Sequence, residues 1–292
     1  MSAFTQKQSP YFAASTVYER LIFTAKDITA GNLILVNRKY PIRFDLPGQE
    51  LVDINAQQSD LLFPHKGEFK NLLSCLEHPA REIYLQKQAA TMLLSLIRKS
   101  GAGGKITAVS GCRSLREQTA IWEETASKEG IAFAKKYVAR PGCSEHQSGL
   151  AIDLAKSAPS IDYIRPSLPK EGAIAAFIRL APQFGFILRY PEEKETITGI
   201  GYEPWHFRYV GFPHSVIMTN RQITLEEYLE MLENETSPLK PFTYTQDGAR
   251  IDIIYLSMKN RQKIEAEFSD VLPHTISGTN KSGIVLTRFR RH

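Results

Sequence analysis

Two ionisable residues in the middle of the chain could share one metal ion. His146 precedes Asp153 by seven positions, with Gly149 between them. Leu150 and Leu154 belong to an alternation of apolar residues with small or polar ones, which predicts a short β-strand that carries Asp153 inside the fold. An unpaired carboxylate there costs several kcal/mol. Asp153 therefore needs a cation, and this pair leaves two alternatives open: a metal shared with His146, or an Arg or Lys partner.

A second ionisable pair follows further along the chain. Glu203 precedes His206 by three positions in a segment too rich in aromatic β-formers for a helix. Positions three apart on a regular strand face opposite sides, so we predict a bend or bulge at Pro204 that turns both side chains into one cavity. His146, Asp153 and His206 would then leave a hydrolytic zinc an open position for water. Bound zinc lowers the pKa of that water to roughly 7, and Glu203 is placed to take its proton.

Arg113 lies at the corner where a predicted strand meets a predicted helix. The strand covers residues 106–109, and Ser114 with Glu117 fits the S-x-x-E capping box of a helix that runs to about residue 129. We therefore assign Glu117 a capping role. A guanidinium at such a corner can point into a cleft and grip a carboxylate or an oxyanion, whereas a surface ion pair is the alternative. Gln118, further into the helix, is a candidate substrate contact.

The remaining elements should support these residues. Leu85, Ala89, Met92, Leu93 and Leu96 form one apolar stripe, which predicts a helix over residues 80–99 that the glycines from 101 to 104 terminate. Further helices are predicted over residues 131–138, 173–180 and 224–232, and strands over residues 33–36, 186–190, 243–245, 250–256 and 284–289. A proline-rich passage at 157–170 is predicted to be a surface loop near the cleft.

Three segments together are similar to the signature blocks of one family. They are Ser-Gly-Cys-Arg-Ser at 110–114, Ser-Glu-His-Gln-Ser-Gly-Leu-Ala-Ile-Asp at 144–153 and Glu-Pro-Trp-His-Phe-Arg-Tyr-Val-Gly at 203–211. In order and spacing they resemble the blocks of the VanY-type zinc D,D-carboxypeptidases, and in particular the VanXY-type D,D-dipeptidase/D,D-carboxypeptidases of glycopeptide-resistance clusters. The resemblance extends from about residue 31 to the C-terminus.

The resemblance implies hydrolysis of the terminal D-Ala-D-Ala bond of peptidoglycan precursors, with one Zn²⁺ per chain. It implies that Arg113 holds the substrate and stabilises the tetrahedral intermediate. Ser144 either contacts the substrate or caps its own turn. Tyr190 and Tyr202 are candidates for the floor of the pocket. Cleavage of the free dipeptide depends on the size of the pocket and stays open.

Other aromatic and histidine side chains are expected to be structural. Trp205, Phe207 and Tyr209 alternate along a strand, so we expect them in the core. The histidines outside the predicted site, all expected to be structural or on the surface, are His65, His78, His214, His274 and His292.

The expected fold class is α+β, with helices packed on a small, mainly antiparallel sheet that carries the mononuclear zinc site. Residues 1–60 are predicted to form an arm that packs on the core, and residues 61–236 the catalytic domain. Residues 237–292, which begin with a linker, are predicted to form a small β-rich C-terminal subdomain without catalytic residues.

Composition narrows the choice of partners. The chain has 36 basic and 31 acidic residues among 292, and no basic cluster interleaved with aromatics, so we expect no nucleic-acid binding. We find neither an apolar run of about 18 residues nor the core of a signal peptide, which predicts no membrane segment and a cytoplasmic location. An extracellular or anchored protein is the alternative if the N-terminus has been trimmed. Cys75, Cys112 and Cys143 lack metal or disulfide spacing, and we expect Cys112 and Cys143 to be small buried thiols, unpaired in a reducing compartment.

Several alternative functions compete with the D,D-carboxypeptidase. The same kind of site would serve an L,D-carboxypeptidase or a peptidoglycan endopeptidase. Two histidines and a carboxylate also suit non-haem Fe(II), although nothing in the sequence suggests redox chemistry. A non-catalytic cell-wall-binding protein is the alternative from another class.

Overall fold

The computed structural model describes residues 19–42, 50–54, 82–268 and 271–290. The helices are α1 Lys87–Ser100, α2 Leu115–Glu129, α3 Ile131–Tyr137, α4 Gly172–Leu180, α5 Glu195–Thr198, α6 His214–Arg221 and α7 Leu225–Glu235. The strands are β1 Glu19–Thr24, β2 Leu51–Asp53, β3 Tyr84–Gln86, β4 Ile106–Ser110, β5 Ala151–Lys156, β6 Phe186–Leu188, β7 His206–Tyr209, β8 Phe242–Gln246, β9 Ala249–Ser257, β10 Lys263–Phe268, β11 His274–Gly278 and β12 Gly283–Arg290. Short 3-10 turns cover Ala25–Thr29, Glu145–Ser148 and Ala181–Phe184.

A four-stranded antiparallel sheet, in the order β4-β5-β7-β6, carries the predicted ligands. Asp153 lies on the inner strand β5, where its Cα partners are Ser110 on β4 and His206 on β7. Directly opposite residues in an antiparallel pair hold their Cβ atoms roughly 5 Å apart. The register therefore brings Asp153 and His206 together although they are far apart in sequence. The combination of helices with small antiparallel sheets confirms the α+β prediction at this level.

The two faces of this sheet have different roles because side chains alternate along a strand. Ile152 and Leu154 of β5 and Phe207 and Tyr209 of β7 point into the main core, where helices α1 and α4 cover them. The ring of Phe207 packs edge-on against Phe177 of α4, with ring centroids 5.4 Å apart. Asp153 and His206 occupy the alternate positions of these two strands, so their side chains lie on the opposite face of the sheet. The prediction that the aromatics of residues 205–209 belong to the core is confirmed.

Helix α1 begins later than predicted. Its buried face includes Ala89, Leu93 and Leu96, and it ends at Gly101, whose φ of 68° is left-handed. Leu85 is not in the helix: it lies in β3, where it pairs with Val52 of β2. At the N-terminal end of this segment, pairing with the distant strand β2 therefore determines the conformation of Leu85, and the helical periodicity does not.

The predicted strand at residues 33–36 is wrong. These residues are buried but lie outside the described strands. The Leu35 amide donates to the Thr279 carbonyl at 3.0 Å, and the Leu33 amide donates to Ser277 Oγ at 2.8 Å. Their apolar side chains are accommodated without a β-ladder because single bonds to the β11–β12 region satisfy these amides.

The C-terminal half contains a second antiparallel sheet, in the order β11-β12-β9-β8. Helices α6 and α7 cover one of its faces, with Leu229 against Ile253 and Val285 in one cluster. The two-stranded pair β1-β10 contributes to a third cluster on the side of Ile254 and Leu286. Strands β8, β9 and β12 contain the predicted segments, whereas β10 and β11 were not predicted. The domain boundaries at residues 60 and 236 stay a prediction.

The histidines and cysteines expected to be structural fall into two groups. His214 is buried, with Nδ1 2.7 Å from the Tyr228 hydroxyl and Nε2 3.1 Å from Thr287 Oγ1. This link between α6, α7 and β12 confirms its structural role. Cys112 and Cys143 are free thiols, as expected, but both are half-buried rather than fully buried. His274 is half-buried on β11, with Nδ1 3.0 Å from the Leu272 carbonyl and 3.2 Å from Glu19 Oε1, which fits the structural role predicted for it. His65, Cys75, His78 and His292 lie outside the described residues.

No helix within the described residues combines the length and the apolarity that crossing a bilayer requires.

Candidate metal centre

Three buried side chains converge on the polar face of the β4-β5-β7-β6 sheet. His146 lies in the 3-10 turn before β5, Asp153 on β5, and His206 at the start of β7. One potential ligand atom from each lies within 4.8 Å of the other two. Asp153 Oδ2 is 3.0 Å from His146 Nε2, and Asp153 Oδ1 is 2.8 Å from His206 Nδ1. Two nitrogens and a carboxylate at this spacing can hold one divalent ion.

The backbone around residue 111 orients His146. Its Nδ1–H donates to the Gly111 carbonyl at 2.6 Å, which leaves Nε2 with a lone pair toward Asp153. With the ring proton on Nδ1, His146 Nε2 and Asp153 Oδ2 are two buried acceptors 3.0 Å apart, and Nε2 has no hydrogen-bond donor among the described residues. A buried lone pair of this kind fits a metal ligand. A side chain at Gly111 would collide with the Tyr84 carbonyl, so glycine is required for this close approach.

Glu203 lies beside the three side chains, in the turn that precedes β7. The bend predicted at Pro204 is present, because residues 204 and 205 form a turn and the His206 amide donates to the Glu203 carbonyl at 3.3 Å. Glu203 Oε2 is 3.8 Å from His206 Nδ1. Burial raises the pKa of this carboxyl to about 8, against the lowering effect of His206. A carboxyl with such a pKa can both accept and release a proton near neutrality.

Opposing effects set the charges of the candidate ligands. Burial alone would raise the pKa of Asp153, but His146 and His206 hold it well below its usual range, so the carboxylate is ionised. Burial and the Arg113 guanidinium lower the pKa of His146 to about 4. Burial would also lower the pKa of His206, but Asp153 raises it to about 9. A metal that binds here must therefore displace a proton from His206.

Arg113 points into the cleft. Its Nη2 lies 3.4 Å from Asp153 Oδ2, and only 15% of its side chain is exposed, which argues against the surface ion pair considered above. The Arg113 amide donates to the His146 carbonyl at 3.2 Å, and this bond links the corner between β4 and α2 to the 3-10 turn that contains His146. The Ser114 and Glu117 capping box forms as predicted at the start of α2.

A cleft of about 480 Å³ opens over the candidate metal site. Ser144, Gln118 and Tyr190 line it. Ser144 Oγ accepts from the His146 amide at 3.4 Å and so caps its own turn. Gln118 Nε2 donates to the Ala139 carbonyl at 2.7 Å, whereas its Oε1 is buried without a partner among the described residues. The Tyr190 ring lies 4.8 Å from the His206 ring.

Two further features concern the rim of the cleft. Tyr202 does not line this cleft but an adjoining pocket, which it shares with Trp205. The structure therefore separates Tyr202 from the other predicted residues. Tyr163 and Ile164 do line the cleft, which confirms that the proline-rich loop at 157–170 lies close to it.

A buried charge network beside the site was not predicted. Arg189 and Arg208 both donate to Glu145, and all three side chains are fully buried. The available signal was the position of Arg208 on β7, two residues after His206, where a charged side chain on a buried strand requires a partner. Glu145 adjoins the predicted ligand His146, and its place in that block does not by itself indicate a role.

Comparisons with known proteins point to one family. The family described as "VanY: D-alanyl-D-alanine carboxypeptidase" matches residues 82–212. The chain is 47% identical over 152 residues to the "Bifunctional D-Ala-D-Ala dipeptidase and D-Ala-D-Ala carboxypeptidase VanXYC" of Enterococcus gallinarum, covering 52% of this chain and 80% of that protein. It is 31% identical over 274 residues to a D-alanyl-D-alanine carboxypeptidase of Enterococcus faecium, covering 91% of this chain and 78% of the relative.

A solved structure extends the similarity to the whole fold. The vancomycin resistance D,D-dipeptidase VanXYg, solved in complex with a D-Ala-D-Ala phosphinate analog, superposes with a TM-score of 0.81 at 37% identity. The match covers 94% of this chain and all of that one. The residues of the candidate metal site all lie within the segment that the family match covers. The chain therefore belongs to the VanY D-alanyl-D-alanine carboxypeptidase family.

Proposed function

We propose that this chain is a zinc-dependent D,D-carboxypeptidase that removes the terminal D-Ala from peptidoglycan precursor pentapeptides and also cleaves the D-Ala-D-Ala dipeptide. Its role would be cell-wall remodelling or resistance to glycopeptides such as vancomycin. The observation that carries the proposal is the convergence of His146, Asp153 and His206 in one cleft, with Glu203 beside them.

The donor set favours zinc. His146, Asp153 and His206 are nitrogen and oxygen donors, and three protein ligands leave one position of a tetrahedral ion open, as in hydrolytic zinc sites. When bound, Zn²⁺ would supply Lewis-acid polarisation of the scissile carbonyl and a water of lowered pKa. We propose one zinc per chain.

Glu203 is proposed as the general base and then the general acid. Its carboxylate would accept a proton from the attacking water at Oε2 and deliver that proton to the nitrogen of the leaving D-Ala. Burial raises the pKa of Glu203 above its usual range, which makes its carboxylate a stronger proton acceptor than an exposed glutamate. Because its Oε2 is 3.8 Å from His206 Nδ1, the carboxylate lies next to the ligands and stays free to exchange protons.

We propose that the substrate is held by Arg113, Gln118 and Tyr190, and also by the hydroxyl hydrogen of Ser144, whose Oγ at the same time caps its own turn. The Arg113 guanidinium would grip the terminal carboxylate of the peptide or the oxyanion that forms at the scissile carbonyl. Gln118 Oε1 has no partner among the described residues and could accept a peptide N–H. Tyr190 would form the wall next to His206. Tyr202 lies outside the cleft and is not part of this proposal.

The decisive experiment measures metal content and D-Ala release on the same purified protein. We expect about one zinc per chain and release of D-Ala from a pentapeptide that ends in D-Ala-D-Ala. Release from the tetrapeptide alone would make the chain an L,D-carboxypeptidase. Absence of both metal and peptidase activity would instead support a cell-wall-binding protein, and iron without peptidase activity an oxygenase.

A further inference from the structure

Glu145 is a fully buried carboxylate with one oxygen engaged and one free. Its Oε1 accepts from Arg189 Nε and from Arg208 Nη1, each at 2.8 Å. Its Oε2 has no hydrogen-bond partner among the described residues. That oxygen lies 3.6 Å from His206 Nε2, a ring nitrogen that is also buried and also lacks a hydrogen bond in the described part of the chain. Two complementary unpaired atoms thus face each other.

The two arginines fix the direction in which Glu145 points. Arg208 Nη2 donates to the carbonyls of Asn32 and Ile34, both at 2.9 Å. Arg189 forms a forked pair with the Glu226 carboxylate of α7, at 2.9 and 2.7 Å. Each guanidinium is therefore fixed by acceptors other than Glu145, and both guanidinium groups donate to Oε1 of Glu145. The carboxylate of Glu145 cannot turn away from His206 without the loss of these bonds.

The two histidines of the candidate metal site use different ring nitrogens. His146 donates from Nδ1 to the Gly111 carbonyl and directs Nε2 toward Asp153. His206 directs Nδ1 toward Asp153, at 2.8 Å, and Nε2 toward Glu145. A histidine that binds a metal through one nitrogen needs an acceptor for the proton on the other. The Gly111 carbonyl is that acceptor for His146.

We propose that Glu145 is a positioning residue that accepts the Nε2–H of His206 and so holds the ring in the tautomer whose Nδ1 binds the metal. The inference rests on the proposed metal site. It also gives the Arg189 and Arg208 pair a purpose, because a carboxylate aimed by two buried guanidinium groups holds the imidazole at a defined angle.

The test compares Glu145→Gln with Glu226→Gln in the intact protein. In Glu145→Gln the amide oxygen stays with the two arginines, since both are donors, so the amide NH₂ faces His206 Nε2. That favours the tautomer with the proton on Nδ1, which blocks the metal. Loss of such an outer-shell carboxylate weakens metal binding roughly 10- to 100-fold. Glu226→Gln is the matched control, because it alters the same buried network at its far end, and we expect it to keep wild-type zinc affinity.

Zinc affinity is measured by competition with a chelating dye, and folding by circular dichroism. Equal affinities in the two variants would overturn the proposal. Histidine-selective ¹⁵N NMR of the zinc-loaded wild type gives a second test that no unfolded variant can obscure. We expect the ring proton of His206 on Nε2 and that of His146 on Nδ1, and a proton on Nδ1 of His206 would refute the proposal. A wild-type protein that binds no zinc would refute the proposed function itself.

Discussion

Glu203→Gln separates the catalytic role of this carboxyl from a role as metal ligand. Glutamine has nearly the same shape but cannot accept the proton of the attacking water. General acid–base catalysis by one side chain contributes roughly 10²- to 10⁴-fold, so we expect kcat for D-Ala release to fall by that factor. Zinc content should stay at the wild-type value, because His146, Asp153 and His206 are untouched.

The same variant should make the metal-free protein more stable at neutral pH. Burial raises the pKa of Glu203 from 4.5 to about 8 in the folded chain. Above pH 4.5 the unfolded chain releases this proton, whereas the folded chain retains it up to about pH 8, so the carboxyl disfavours folding in this interval. At about 1.4 kcal/mol for each pH unit between 4.5 and 7, the cost at pH 7 is on the order of 3 kcal/mol. Glutamine removes this cost, and the gain should vanish at pH 4, where both states are protonated.

Three measurements decide the outcome: D-Ala release, zinc content and urea unfolding of the metal-free proteins at pH 7 and pH 4. Glu195→Gln provides a control with the same chemical change, on an exposed residue of the adjoining pocket. It should leave all three quantities close to those of the wild type. Loss of zinc in Glu203→Gln would make Glu203 a ligand, and an unchanged kcat would refute its role as a base.

Three further predictions follow from the site and its supports. Arg113→Lys should lower kcat/KM for D-Ala release by roughly 10- to 100-fold, because a lysine lacks the fork that grips a carboxylate or an oxyanion, and an unchanged value would remove Arg113 from substrate binding. Removal of zinc by a chelator should lower the melting temperature in calorimetry, since zinc held at about 100 times its Kd stabilises the fold by about 2.7 kcal/mol, and an unchanged melting temperature would contradict a folded-state metal site. His214 is neutral in the fold because burial lowers its pKa from 6.5 to about 3, whereas the unfolded chain protonates it below pH 6.5. The free energy of unfolding should therefore fall by on the order of 2 kcal/mol between pH 6.5 and pH 5. A His214→Gln variant that loses as much stability over the same pH interval in urea unfolding would disprove this cause.

Some features were predictable because their causes are local in sequence. The capping box of Ser114 and Glu117 needs only residues three apart, and it forms at the start of α2. The alternation around Asp153 predicts a strand with its carboxylate on the face opposite Ile152 and Leu154, and β5 has this arrangement. In both cases the outcome is determined locally, by the two-residue period of the strand or by hydrogen bonds between residues three apart in sequence.

Other features depended on contacts between distant segments. Leu85 fits the helical stripe of α1, yet it joins β3 because Val52 offers it a strand partner. The apolar run from residue 33 predicts a strand, but its amides bond singly to Ser277 and Thr279 instead. Tyr202 is adjacent in sequence to Glu203, and the turn at residues 204 and 205 still leaves it in another pocket.

For the metal site, the sequence by itself determined the donors. The types of His146, Asp153, His206 and Glu203 state what chemistry is available, because ligand preference and acid–base behaviour belong to the side chains themselves. Only the tertiary structure decided that Asp153 pairs with His206 across two strands, which ring nitrogen each histidine presents, and that Glu145 stands behind one of them. Register and tautomer arise from partners that are remote in the chain, and residue order alone does not encode their directions.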